Sequence, residues 1–433
     1  MTAPDIVSRS KALMAAGRAG EARSLLEAEL QGGSGNPAVH ALLGYALHGE
    51  NRLEEAEQVL GKAVRLFPGD STLHQALARM RWMNGAGDRF IDDFLAAVKA
   101  HPSDTVLRLK CVELLRHAGM TGPAERLLRD GLSASPGDID VQAWLAILLD
   151  ETDRLEESAS IIRPILRAYP HETDLRLSLS HTLMRMGRPD EALQEIAAVR
   201  RADPSQQLAI TYEATALRQK NDPRYRWLCG DQYVREFYVA PPPGYADIAT
   251  FNRALGQSLR ELHTKSHHPL EQSLRGGSQI SQNLLASDDP VIRDYLAALH
   301  APIQAYIDGL GDDPGHPLEQ RKSSSHAFSG CWSVLLRPGG FHVNHTHPLG
   351  WISSSYYVSL PAQMSVTDSQ EGWIKFGEPR WPIPGCGVEK VVQPREGLLV
   401  LFPSYMWHGT IPFSSGERLT APFDVVPAVA GAK

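Results

Sequence analysis

Residues 342–361 read HVNHTHPLGWISSSYYVSLP. Three imidazoles fall within six residues, and a run with the look of a buried strand follows them. On an extended strand, residues i and i+2 share a face. His345 and His347 can therefore reach one ion together, while Asn344 and Thr346 face the other way. His342 shares no strand face with His345 and reads as structural or pocket-lining. An isolated H-x-H is more often a polar edge than a metal site, so its meaning depends on residues elsewhere.

Those residues lie downstream. His408 stands in FPSYMWHGTIPF, 61 residues after His347, and the apolar run GLLVLF before it reads as a buried strand. Arg418 follows ten residues later in GERLTAPFDVV. On an extended segment Arg418 and Thr420 share a face, and a guanidinium beside a hydroxyl makes a seat for a small carboxylate. From residue 326 onward short strand-like runs alternate with Gly and Pro, among them GWIKFG, GVEKVVQP and RLTAPFDVVP. Many short strands with turn punctuation suggest a sandwich or barrel. Two helical stretches, 247–263 and 289–310, precede them.

The first half has a different grammar. Pro68, Pro102, Pro136, Pro170 and Pro204 are each 34 residues apart. Ala22, Ala56, Phe90, Ala124, Ser158 and Ala192 form a second column, small in five of six. Gly17, Asn51, Gly85, Gly119, Asp153 and Gly187 form a third, of residues that tolerate a left-handed turn. Gly44, Ala78, Val112, Ala146 and Ser180 form a fourth. A period of 34 with two helices per unit is the tetratricopeptide signature. The small residues let paired helices approach, the third column ends the first helix, and the prolines close each unit. The array runs from residue 3 to about 218, about six units. Phe90 and the stretch NGAGDRF make the third unit the most divergent.

The chain of 433 residues thus divides into 3–218 and 219–427. A net charge of −7 offers no basic field for nucleic acid, and no stretch is long and apolar enough for a membrane helix. The opening residues do not read as a secretory signal. Cys111, Cys229, Cys331 and Cys386 are scattered and read as free thiols, consistent with a cytoplasmic protein. Oligomeric state is not legible.

The order H-x-H, strands, His, then Arg resembles the non-haem iron(II), 2-oxoglutarate-dependent oxygenases. The motifs RGGSQ (275–279), GCWSVLLRPGGFHVNHTHPLGWISSSYYVSLP (330–361), EGWIKFGEP (371–379) and LVLFPSYMWHGTIPFSSGERLTAPFDVVP (399–427) resemble, more closely, a bacterial family of such domains that follow tetratricopeptide arrays. The resemblance implies an N-terminal all-α superhelix and a C-terminal double-stranded β-helix (jelly roll) with flanking helices. It implies Fe(II) and 2-oxoglutarate, decarboxylation of the latter to succinate, and hydroxylation of an unidentified substrate. Arg418 and Thr420 would hold the co-substrate; Tyr357 either joins them or is a core tyrosine bonded to backbone, and Arg275, Asn344 and Trp332 are candidates for substrate contact, with a loop-holding Arg275 and a core Trp332 as the alternatives. The family's middle metal ligand is usually a carboxylate, and here that position is His347. Three ligand sets stay open: three histidines, two histidines with Asp368 or Glu371, or two histidines alone. The repeats, whose concave face commonly binds peptides, would recruit a protein or peptide. A catalytically silent adaptor and a metal cupin acting without 2-oxoglutarate are the competing readings; Arg418 with Thr420 argues against the latter.

Overall fold

The computed structural model describes residues 3–33, 35–263, 270, 272–280, 283–365 and 369–428. Its helices pair as the 34-residue period requires. They are α1 Ala3–Ala15, α2 Ala19–Gln31, α3 Pro37–Gly49, α4 Leu53–Leu66, α5 Ser71–Met83, α6 Asp92–Ala100, α7 Thr105–His117, α8 Thr121–Ala134, α9 Ile139–Glu151, α10 Leu155–Ala168, α11 Thr173–Arg185, α12 Pro189–Ala202 and α13 Gln207–Gln219. Every residue of the third column has positive φ, from 59° at Asn51 to 80° at Gly85. Only glycine and a few short polar residues take this conformation cheaply, which explains the column's composition. The second column is buried throughout, Phe90 included. Gly44 lies so close to Leu60 that an added Cβ would stand 2.7 Å from its branch carbon. In the divergent third unit, a 3-10 turn at Gly87–Ile91 replaces the start of α6, and Phe90 meets Trp82 edge-on at 5.3 Å.

The period also sets helix starts. Asn36, Asp70, Asp104 and Asp138 each accept a hydrogen bond from a backbone N–H of the helix that follows. Such caps are typically worth ~1 kcal/mol each.

Two compact units result. The first covers Met1–Ile161 and two short later segments; the second takes Ile162–His263, Ser273–Ile280 and Ser287–Lys433. The division falls inside α10, whereas the sequence pattern changes near 218. The physical reason is α13. Thr211 Oγ1 donates to the Tyr405 carbonyl (2.8 Å), Trp407 Nε1 donates to Thr215 Oγ1 (3.0 Å), and Arg218 donates to the carbonyls of Gly377 (2.7 Å) and Gly387 (2.8 Å). These bonds tie the last repeat helices into the β-domain.

After α14 Arg224–Cys229, the second unit continues with β1 Arg235–Tyr238, α15 Ile248–Leu262, β2 Leu274–Gln279, α16 Pro290–Ala298, α17 His300–Asp308, β3 His326–Cys331, β4 Val334–His342 and β5 Ile352–Ser359. Then follow β6 Ile374–Phe376, β7 Lys390–Val392, β8 Leu398–Pro403, β9 His408–Thr410, β10 Arg418–Thr420 and β11 Phe423–Pro427. The strand pairings among the described residues are antiparallel: a large sheet ordered β1-β8-β5-β10-β4-β2, with β11 bridging β3 and β5, and a small sheet β7-β6-β9. The two sheets meet through Phe376 of β6 and Phe402 of β8, ring centres 5.0 Å apart. This is the jelly-roll arrangement. β5 and β8 read as continuous apolar or small runs because both of their faces are covered. Flanking helices bury Tyr295 and Tyr356 against each other at 5.1 Å. No described helix is long and apolar enough to cross a membrane, and all four cysteines are buried free thiols.

Candidate metal and co-substrate centre

The strand β4 ends at His342, and the chain then runs irregularly to β5. His345 pairs with His408 across the two sheets: His345 N donates to the His408 carbonyl (2.9 Å), and His408 N donates back (3.1 Å). His347 is held by its own backbone N–H, which donates to Ser404 O (2.9 Å). Ring centres lie 4.3 Å apart for His345–His408 and 5.1 Å apart for each of the other two pairs. One nitrogen from each ring lies within 4.8 Å of the others.

The hydrogen bonds decide which nitrogen. His345 Nδ1 is 2.8 Å from the Val343 carbonyl, and His408 Nδ1 is 3.0 Å from the Met406 carbonyl. A carbonyl only accepts, so both Nδ1 atoms carry the proton and both Nε2 atoms present lone pairs. His347 Nδ1 faces the Asp424 carboxylate at 2.7 and 2.6 Å, so its Nδ1 also carries a proton. Asp424 also accepts from Ser353 Oγ (2.7 Å). Burial pushes the His345 pKa down to about 3 and that of His408 well below the ordinary value, with neighbouring imidazoles adding to the effect. Neutral imidazole is the metal-binding form. The donor set therefore suits a transition metal such as iron(II).

Among the described residues, these three histidines are the group that could hold a metal ion. Glu371 is committed elsewhere: it accepts from the N–H (2.9 Å) and hydroxyl (2.8 Å) of Ser414. Asp368 lies outside the described residues, as do His267 and His268. His342 stacks on His345 at 5.8 Å, and its Nδ1 is 3.0 Å from Ser273 Oγ. It borders the cluster without joining it.

Arg418 and Thr420 share a face of β10, and both are buried. The Arg418 guanidinium lies 5.0 Å from the Tyr357 ring centre, on the neighbouring β5. Its Nε has no hydrogen-bond partner among the described residues. No hydrogen bond of ordinary geometry reaches the Tyr357 hydroxyl either, though Ser355 and Arg418 are close enough to affect its ionisation. Burial lowers the Arg418 pKa, and no carboxylate among the described residues offsets it. A buried cation without an acid is costly.

The remaining candidates have distinct places. The Trp332 ring stands 5.9 Å from that of His347. Asn344 Nδ2 donates to Glu378 Oε2 (2.9 Å) and to the Pro379 carbonyl (3.1 Å), beside an open groove of about 290 Å³. Arg275, on β2, donates to its neighbour's carbonyl at Leu274 (2.7 Å); burial first, and the nearby Arg380 charge second, lower its pKa. Sequence reasoning missed Asp424 and Ser273. The only hint of Asp424 was an acid inside an apolar strand, APFDVV.

Residues 330–424 match the family described as "Putative 2OG-Fe(II) oxygenase", and residues 13–80 and 151–214 match tetratricopeptide repeats. No curated protein matches the chain. Among solved structures, a tetratricopeptide repeat protein from Parabacteroides merdae is 16% identical over 51% of this chain and 88% of its own (TM-score 0.39). A prolyl-4-hydroxylase from Pseudomonas putida is 18% identical over 50% of this chain and 100% of its own (TM-score 0.32). The viral collagen prolyl hydroxylase of Paramecium Bursaria Chlorella virus-1 is 12% identical over 47% and 99% (TM-score 0.31). By the family matches, the N-terminal half contains tetratricopeptide repeats, and residues 330–424 are similar to a putative 2-oxoglutarate–Fe(II) oxygenase domain.

Proposed function

We propose that the chain is an Fe(II)- and 2-oxoglutarate-dependent hydroxylase of the cytoplasm, whose repeats recruit a protein or peptide. The observation that carries the reading is the pairing of three convergent imidazoles with a buried guanidinium that meets no carboxylate among the described residues. His345, His347 and His408 would hold the iron. Bound iron supplies dioxygen activation coupled to decarboxylation of the keto acid. The protein's residues do the positioning. Arg418 binds the distal carboxylate by charge-assisted hydrogen bonds, Thr420 adds a hydroxyl on the same face, and Tyr357 backs the guanidinium with its ring. Val343, Met406 and Asp424 hold the Nδ1 protons so that no ring turns away. Trp332 lies beside His347 and would border the substrate; Asn344 and Arg275 would shape the entrance.

The test is an anaerobic titration of the protein with Fe(II) and 2-oxoglutarate, followed by the metal-to-ligand absorption band, and an aerobic assay for succinate without added substrate. Saturable binding with slow succinate release supports the hydroxylase. If neither metal nor 2-oxoglutarate binds, the jelly roll is a silent module and the chain an adaptor.

A further inference from the structure

Three residues on one face of α13 grip the β-domain. Thr211, Thr215 and Arg218 are spaced four and three apart, so they line one stripe of the helix. Thr215 Oγ1 donates to its own helix at Thr211 O (2.8 Å), which leaves its lone pairs for Trp407 Nε1–H. Trp407 immediately precedes His408. One turn earlier, Thr211 holds the carbonyl of Tyr405. The segment that delivers His408 is therefore fixed at two points by a repeat helix.

Arg218 reaches the cluster from the other side. Its guanidinium spans the two ends of the segment 377–387 through the carbonyls of Gly377 and Gly387. Cys386 Sγ, inside that segment, lies 3.7 Å from Thr215 O, and Trp381 meets the His181 ring of α11 at 5.5 Å. The same segment supplies Glu378 and Pro379, which accept from Asn344 Nδ2. Asn344 precedes His345. Gly377 N donates to the Trp407 carbonyl (2.9 Å), so the two routes join.

We infer that α13 is a positioning element of the metal centre, with Thr215 and Arg218 as its positioning residues. The inference rests on the reading of His345 and His408 as metal ligands. The last repeat helix sets the backbone from which two of the three imidazoles project. The His347 side chain is set by Asp424, a partner that α13 does not touch. Whatever displaces α13, including a partner bound to the neighbouring repeats, changes metal and co-substrate affinity rather than recruitment alone.

The experiment uses the full chain and the variants Thr215→Val, Thr215→Ser and Arg218→Ala. Fe(II) is titrated anaerobically with 2-oxoglutarate in excess, and the absorption band and thermal midpoint are recorded for each. Loss of an outer hydrogen bond around a metal site typically costs about 10- to 100-fold in affinity. Thr215→Val and Arg218→Ala are expected to weaken Fe(II) binding about tenfold and shift the band. Thr215→Ser, which keeps the acceptor, should restore both. If Thr215→Val does not fold, Trp407→Phe removes the same bond from the other partner and is read identically. Variants that bind Fe(II) as the wild type does, with an unshifted band, would overturn the inference. A wild type that binds no Fe(II) overturns the ligand assignment instead.

Discussion

The Asp424 carboxylate stands 2.6 Å from His347 Nδ1 and 2.7 Å from Ser353 Oγ. It thereby places the proton on Nδ1 of His347, the proposed ligand position where the resemblance would lead one to expect a carboxylate. A histidine in that place brings no negative charge of its own, and the Asp424 carboxylate instead stands against its Nδ1, the nitrogen turned away from the cluster. Asp424→Ala should cost about 10- to 100-fold in Fe(II) affinity. Asp424→Asn should cost less, because an amide oxygen still accepts from Nδ1–H. Anaerobic Fe(II) titration measures both; wild-type affinity in Asp424→Ala would remove the residue from the site.

Arg418→Ala should weaken 2-oxoglutarate binding while leaving metal content near that of the wild type. A charge-assisted hydrogen bond is worth roughly 1.5–3 kcal/mol, about ten- to a hundred-fold in affinity. Arg418→Lys keeps the charge but not the forked geometry and should fall between. Co-substrate titration at fixed iron is the measurement, and equal affinities in all three proteins would exclude Arg418 as the seat.

His347 decides among the ligand sets. His347→Ala should lose metal if three histidines bind it and keep metal if two suffice. His347→Asp replaces the imidazole with an anionic oxygen, a donor suited to iron(II) in a mixed site. Retained iron and succinate release in that variant would place the position at the metal. Metal analysis after anaerobic loading, with the succinate assay, reads the outcome.

His263 should make stability depend on acid. It sits between Ser278 Oγ and Ser333 Oγ, 2.9 Å from each, and burial, helped by Arg337 and Arg260, lowers its pKa from 6.5 to about 4. The unfolded chain takes up a proton as pH falls below 6.5, while the folded chain refuses it until about 4. The contribution of His263 is thus complete above 6.5 and is lost between 6.5 and 4. His263→Gln retains a donor and an acceptor without titrating. Its urea midpoint should fall less than that of the wild type between about pH 7 and about pH 5. Parallel falls would show that other groups carry the dependence.

The repeats were legible in the sequence because their contacts are local. Each 34-residue block packs against itself and its neighbour, so turn, packing and capping residues recur in register. Ala56, Gly119 and Asp104 each announce a role through their column. The histidine cluster was legible for a related reason: two imidazoles one residue apart stay near each other along the chain, and His345 pairs with His408.

Other relationships needed the closed β-domain. Asp424 meets His347 across 77 residues, and Trp407 meets Thr215 across 192. Neither pair has a period or a spacing rule, because strand order rather than chain order brings them together. The break inside α10 has the same origin. Sequence pattern records where helical periodicity stops, near 218. Compactness depends on where hydrogen bonds and buried side chains lead, and those of α13 lead into the jelly roll. The sequence alone determined the repeat architecture and the three imidazoles with Arg418. Tertiary structure alone decided which nitrogen of His347 faces inward, because its partner Asp424 lies 77 residues away, whereas His345 and His408 are each oriented by a carbonyl two residues before them.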